Sequence, residues 1–249
     1  MTSVLPFLQT ARLPTPPKQF QWNTPSIVKS IPTLDTTEME KMRYYILPNG
    51  STAISMTTLL GAMVSDKKIS EWKKKVGEEK AAKISLEATN RGKNYHSLME
   101  SYLQNQLKED ELDPFQIETL TNARKRVDKI DNVMCIEKSL FSETYRIAGT
   151  VDCIAEYDGV LSIIDHKTAA RPKKEEWIQN YFLQETGYSL MFEELTGIKI
   201  DQIVTIISVK DSHYPPQVFI KKSSDYKDQL IRLIEEFYVT NPPNRAMVE

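Results

Sequence analysis

VLSIIDHKTAA, residues Val160 to Ala170, decides the fold. Its apolar first half reads as a buried strand, yet the run ends in an acid and a lysine two residues apart, Asp165 and Lys167. A strand repeats every two residues, so both side chains project from the face that Ile163 occupies, and His166 points the other way. A charged pair at the end of a core strand is costly unless something binds there, and its bland alternative is a partly exposed ion pair. Acid-x-lysine alone means little here: Asp66 precedes Lys68, Glu71 precedes Lys73, Glu78 precedes Lys80 and Asp225 precedes Lys227. Those sit in helical or polar contexts that a solvated face explains. The strand sets Asp165 and Lys167 apart.

Just upstream, GTVDCIAEYDG places Asp152 on a strand that the Tyr157-Asp158-Gly159 turn folds back onto Val160. Pairing about that turn brings Asp152 and Asp165 near the same edge of a hairpin. Two carboxylates so placed repel, and a hard divalent cation with oxygen ligands relieves the repulsion. A neighbouring lysine suits the next need: it can polarise a water or offset charge growing on a phosphate.

Further outward, VMCIEKSLF is a third strand candidate, and Asp113-Pro114 starts a helix reaching about Asp128. Helix formers fill Ser65 to Gln106, with Ile69, Trp72, Val76, Ala81, Ile84, Leu98 and Tyr102 near helical spacing and breaks expected at Gly77 and Asn90-Arg91-Gly92. Arg43 to Gly61 holds a Pro-Asn-Gly turn between two strand-like stretches, a hairpin leading into a helix. After Val160–Ala170 come a helix over 174–195, the strand QIVTIISV, a short strand PPQVFIKK and a helix over 224–239. That order describes an α/β or α+β sheet with helices on its faces. Residues 1–42 form an expected extended arm, rich in proline, and 43–249 a single domain: hairpin and helical layer to 130, core over 131–222, then a terminal helix and tail.

The chain has 249 residues, 40% hydrophobic and 27% charged, and its 32 basic against 34 acidic side chains leave a net charge of -2. Overall charge therefore offers no nucleic-acid footprint, and any basic track must be local. Cys135 and Cys153 lack ligand spacing and fit core thiols of a reducing compartment. No run approaches the roughly 20 apolar residues of a membrane span. The first 34 residues carry no acid, but LPTPPKQFQWNTP cannot form the amphipathic helix of a transit peptide, so a cytoplasmic location is expected.

Gly149-x-Val151-Asp152 followed by Asp165-x-Lys167-Thr168 resembles the core of the PD-(D/E)xK nuclease superfamily, with valine before the first aspartate. Gln184 and Tyr188 resemble the Q-x3-Y motif of its RecB-type branch, and Arg91-Gly92-x3-His96 resembles that branch's helical histidine motif. Over Tyr44 to Val209 the chain is similar to the mitochondrial genome maintenance exonucleases and related exonucleases of tailed bacteriophages.

The resemblance implies a restriction-endonuclease-like mixed sheet flanked by helices. It also implies Mg2+, with Mn2+ as a substitute, held by His96, Asp152, Asp165 and the backbone carbonyl of His166. By itself His96 would be read as structural. Lys167 becomes the catalytic lysine with Asp165 and Asp152, while Gln184 and Tyr188 orient the site and its DNA strand. Thr168 either contacts phosphate or makes a strand-end hydrogen bond. The implied function is a single-strand-preferring DNA exonuclease of replication, repair or recombination. A structure-specific or double-strand endonuclease and a non-catalytic assembly factor remain open.

DNA is then the expected partner, with a helicase, polymerase or single-strand-binding protein acting on it, because no GxxxxGK[ST] loop is present to drive strand separation. Candidate phosphate contacts are Arg91 with Lys93, and Arg171 with Lys173 and Lys174; Lys73-Lys74-Lys75 reads better as a solvated face. Trp72, Tyr95, Trp177 and Phe182 are candidates for stacking on bases, most of them expected to be core. His213 has no partner in the sequence and is expected at the surface. Helices over the site could form an arch that admits only a single strand.

Overall fold

A computed structural model describes residues 13–62, 73–210 and 215–242. After a short helix α1 (Ser26–Ser30), strands β1 (Thr36–Met39), β2 (Met42–Ile46) and β3 (Thr52–Ser55) form an antiparallel meander. The β2–β3 turn works as its Pro-Asn-Gly sequence demands: Gly50 takes φ +81° and the Asn49 side chain accepts from the Ser51 N–H. β3 runs directly into α2 (Met56–Ala62). α3 (Glu78–Leu103) and α4 (Pro114–Val127) follow, the latter started by a capping box between Asp113 and Gln116.

Three long strands come next, β4 (Ile130–Ser142), β5 (Ile147–Tyr157) and β6 (Val160–Ala169), each antiparallel to the one before. Helix α5 (Gln179–Thr196) then carries the chain across the sheet so that β7 (Gln202–Val209) lies parallel to β6, and β8 (Gln217–Lys222) pairs with β7. Helix α6 (Lys227–Thr240) packs on α5. The result is an eight-stranded mixed sheet with helices on its faces, the architecture expected from the strand and helix signals.

Burial on both faces explains why β6 and β7 read as continuous apolar runs. Ile163, Ile203 and Ile207 pack with Phe182, Leu183 and Met191 of α5. Ile164, Val204 and Ile206 face the opposite way and pack with Tyr95, Leu98 and Met99 of α3 and Leu120 of α4. Cys135 and Cys153 are free and buried. Among the described residues no helix is long and apolar enough to cross a membrane.

Two expectations need correcting. Helix α3 begins after Gly77, which takes φ +86°, but passes unbroken through Asn90-Arg91-Gly92. A mid-helix glycine costs only about 1 kcal/mol relative to alanine, less than the burial of Tyr95, Leu98, Met99 and Tyr102 just beyond it contributes. The expected helix start at Ser65, with Ile69 and Trp72, lies outside the described residues, as does His213.

The second correction concerns residues 13–42. Their first part is extended, as the prolines require, but it is packed rather than free. Phe20 is buried edge-on against Tyr102, the Lys18 ammonium donates to the Asp128 and Ile130 carbonyls, and Trp22 bridges Val133 in parallel. Proline forbids a helix there, yet an extended chain can still bury every few side chains, and β1 adds its four residues to the sheet edge.

Candidate metal centre at a strand fork

The site arises where two strands part. β5 and β6 pair from Tyr157 opposite Val160 as far as Cys153 opposite Ile164, and there the ladder stops. Beyond that point β6 stays with β7 through Ala169, while β5 stays with β4 and takes up β3 at Ile147 and Ala148. Asp152 and Asp165 occupy the first positions of the opening, where the hairpin register puts them. The Asp152 Oδ2 accepts the backbone N–H of His166 at 2.7 Å, so a side chain closes the ladder in place of a backbone carbonyl. In a strand the N–H and C=O of one residue point to the same edge, so the His166 carbonyl also faces the fork.

His96, projecting from α3, brings Nδ1 to 3.5 Å from Asp152 Oδ2 and 4.0 Å from Glu137 Oε1. Glu137 is a residue the sequence reading missed. It stands opposite Asp152 on β4, between the pairs Ile136–Cys153 and Lys138–Val151, and takes φ +46°, a left-handed backbone uncommon for a non-glycine residue. Among the described residues, ligand atoms of His96, Glu137 and Asp152 converge within 4.8 Å of one another. Asp165 lies outside that group. One of its oxygens is ion-paired with the Lys167 ammonium and the other is 3.4 Å from Gln184 Nε2.

The electrostatics follow from burial. The Asp152 carboxyl is pushed up to about 7 by desolvation and by the charge of Asp165, against the pull of Lys167 and His96. Burial works to lower His96, but Glu137 and Asp152 outweigh it and the net shift is upward. For Lys167 burial is likewise opposed by Asp165 and Asp152, and the ammonium is held more firmly than usual. Glu185, fully buried on α5, is raised well above its ordinary range by desolvation and by Asp165; the Thr205 hydroxyl donates to it. No sequence signal separates Glu185 from an ordinary helix glutamate.

Gln184 and Tyr188 lie beneath the site and not at its surface. Both are buried, and Gln184 Nε2 donates to the Tyr188 hydroxyl at 2.9 Å while leaning on Asp165, so the pair supports the carboxylate from behind. Gly149 makes room for this: a Cβ there would lie 2.8 Å from Tyr188 Cε1. Gly149→Ala is therefore expected to displace the Tyr188 ring, loosen Gln184 and lower the rate of the site's reaction about tenfold or more. Its thermal stability should fall by about 1–3 kcal/mol, as overpacking usually costs. Kinetics at saturating substrate beside thermal melts would check both.

His166 points toward α3, as the strand period required, and its ring meets Tyr95 edge-on at 6.1 Å. Burial, with the nearby charges of His96 and Lys167, lowers it to about 3. The unfolded chain, with an ordinary histidine, binds more protons between about pH 6.5 and 3. Stability from this residue is thus complete above about 6.5 and lost as the pH falls toward 3, with about 2 kcal/mol gone at pH 5. Urea midpoints measured from pH 7.5 to 5 should fall in the native chain and fall less in His166→Phe.

The remaining candidates divide by exposure. Lys93, Arg171 and Lys174 are exposed and Lys173 is half-buried, its backbone tied to Gln217. Arg91 and Thr168 are half-buried and face a common cleft. Of the aromatic candidates Tyr95 and Phe182 are core, whereas Trp177 is 61% exposed under the Lys174 ammonium.

The fold and the site together define a helix-flanked mixed sheet carrying two carboxylates, an imidazole and an ion-paired acid-x-lysine at a strand fork. No protein-family model matches the chain. It is similar to mitochondrial genome maintenance exonuclease 1 of Homo sapiens, with 25% identity over 182 residues, 68% of this chain and 52% of that protein. The Mus musculus protein of the same name is 31% identical over 111 residues, 42% of this chain and 32% of that one. The chain thus spans about half the length, or less, of these curated relatives. Two solved structures share a distant likeness at 15% identity. SSO0001 has a TM-score of 0.40 over 77% of this chain and 78% of its own. A candidate exonuclease from Eubacterium rectale has a TM-score of 0.41 over 65% and 69%.

Proposed function

We propose that this chain is a metal-dependent deoxyribonuclease of the PD-(D/E)xK superfamily, in its RecB-type branch, that removes nucleotides from the ends of single-stranded DNA. The observation that carries the reading is the fork: Asp152 and Asp165 leave adjoining strands at one level, His96 reaches Asp152 from a distant helix, and Lys167 stands beside them. The relatives named as exonucleases support a DNA substrate.

The donor set fits a divalent cation. Carboxylate oxygens suit Mg2+ and Mn2+, and one imidazole shifts the preference toward Mn2+. Asp152, His96 and Glu137 would hold the ion, with Asp165 and the His166 carbonyl as the ligands offered by β6. A bound cation supplies a Lewis acid and a water acidic enough to attack near neutral pH.

The chain's own groups do the rest. Lys167, charged throughout the working pH range, can hold the attacking water by hydrogen bond and offset charge on the phosphate. Gln184 and Tyr188 fix Asp165. The phosphodiester opens by attack of water, so no covalent nucleophile is required. The largely exposed first half of α3, Glu78 to Asn90, would then contribute to an arch that excludes a duplex.

The test is digestion of end-labelled linear and circular DNA, single- and double-stranded, with Mg2+, Mn2+ or EDTA. Linear single strands should be shortened with either metal, at lower concentrations of Mn2+, and spared in EDTA. Cutting that persists in EDTA contradicts the metal mechanism, and efficient cutting of circular single strands contradicts the exonuclease.

A further inference from the structure

Beneath the metal centre lies a carboxyl group that the mechanism above does not use. Glu185 is wholly buried on α5, where the helix packs against β6 and β7. Its Oε1 accepts from the Thr205 hydroxyl, and its Oε2 is buried with no hydrogen-bond partner. An acid left half-paired in the core is costly, so the open oxygen calls for a donor that can reach it.

Lys167 is the cation so placed. Thr205 stands beside Asp165 in the parallel ladder of β6 and β7, and Lys167, two residues on, projects from the same face of β6 as Asp165. Its ammonium lies 5.3 Å from the centre of the Tyr181 ring, and Tyr181 and Glu185 are one turn apart on the same face of α5. Lys167 therefore stands over one turn of α5 and Glu185 over the next. The charge of Glu185 acts on the ammonium, after those of Asp165 and Asp152.

Binding of a cation changes what Lys167 can pair with. In the metal-free chain the ammonium is ion-paired with Asp165. A divalent cation taken up by Asp165 competes for that carboxylate and repels the ammonium, and Asp152 is engaged by the same ion. Of these three carboxylates only Glu185 is left. Burial and the charge of Asp165 oppose a charge on Glu185 in the metal-free chain; the cation offsets the charge of Asp165, and an arriving ammonium favours the carboxylate directly.

Resting on the metal centre of the nuclease reading, we propose that Glu185 is a positioning residue: when the cation takes Asp165, the Lys167 ammonium transfers from Asp165 to Glu185 Oε2. One of its three N–H donors is then fixed from below, and two remain for the attacking water and the phosphate.

The experiment is calorimetric titration of Mn2+ into the intact native chain, Glu185→Gln, Lys167→Met and the double variant, with thermal melts of each in EDTA. The carboxamide oxygen of Glu185→Gln still accepts from Thr205, but its NH2 is a donor and cannot receive the ammonium. This variant should melt in EDTA no lower than the native chain and bind Mn2+ about tenfold more weakly, a usual effect of losing a group that supports a metal ligand. In the Lys167→Met background there is no ammonium to relocate, and the same substitution should alter Mn2+ affinity by about twofold or less. Native affinity in Glu185→Gln refutes the transfer and leaves the metal centre standing. Equal weakening in both backgrounds, or a melt in EDTA well below that of the native chain, makes Glu185 a structural group and overturns the proposal as well. A native chain that binds no Mn2+ contradicts the metal reading itself, and the transfer with it.

Discussion

Replacing Lys167 by methionine is expected to lower DNA cleavage by about 10²–10³-fold, the usual effect of removing one charged group aimed at a reacting oxygen. Cation binding should survive. The same change has a second consequence, because the Lys167 ammonium is ion-paired with an aspartate only 1% exposed. Leaving one member of a buried pair uncompensated typically costs about 3–5 kcal/mol, less if Asp165 takes up a proton instead. Metal-free Lys167→Met should therefore melt below the native chain, and Mn2+ should raise its melting temperature by more than it raises that of the native chain. Single-turnover cleavage of end-labelled DNA with melts in Mn2+ and in EDTA would check both parts. Cleavage at the native rate would remove Lys167 from the chemistry.

Asp152→Asn should have an effect at least as large by a different route. The carboxamide oxygen can still accept the His166 N–H, so the fork should keep its shape, but the charge facing His96 and Glu137 is gone. Cation affinity is expected to fall by about tenfold or more and cleavage by about 10³-fold. Raising Mn2+ should restore part of the loss, whereas no metal concentration should restore Lys167→Met. That contrast separates the residue that holds the ion from the one that acts beside it. Equal and complete rescue of both would contradict the assignment.

Much of the fold was legible because its signals are local. The Asp113-Pro114 start of α4, the Pro-Asn-Gly turn before β3 and the Asp158-Gly159 turn before β6 each follow from the conformations those residues adopt. Once that last turn was placed, a period of two carried Asp152 and Asp165 to neighbouring positions and sent His166 to the far face.

What could not be read depends on contacts distant in sequence. Glu137 looks like any strand glutamate until β4 is laid beside β5 and a left-handed residue turns up opposite Asp152. The role of Gln184 and Tyr188 depended on their being buried, and that comes from the packing of α5, whose residues 182 to 192 are buried throughout. A proline-rich segment could be called extended from its sequence, but its docking through Phe20 and Lys18 requires partners more than 80 residues away.

The central claim is that groups from β5, β6 and α3 surround one cation at the fork. Anomalous diffraction from crystals grown or soaked with Mn2+ tests it most directly. The account predicts a single strong peak about 2 Å from a carboxylate oxygen of Asp152 and from a ring nitrogen of His96, with Glu137 or Asp165 completing the oxygen ligands. A well-ordered fork without manganese at saturating concentration, or manganese bound only elsewhere, would contradict it.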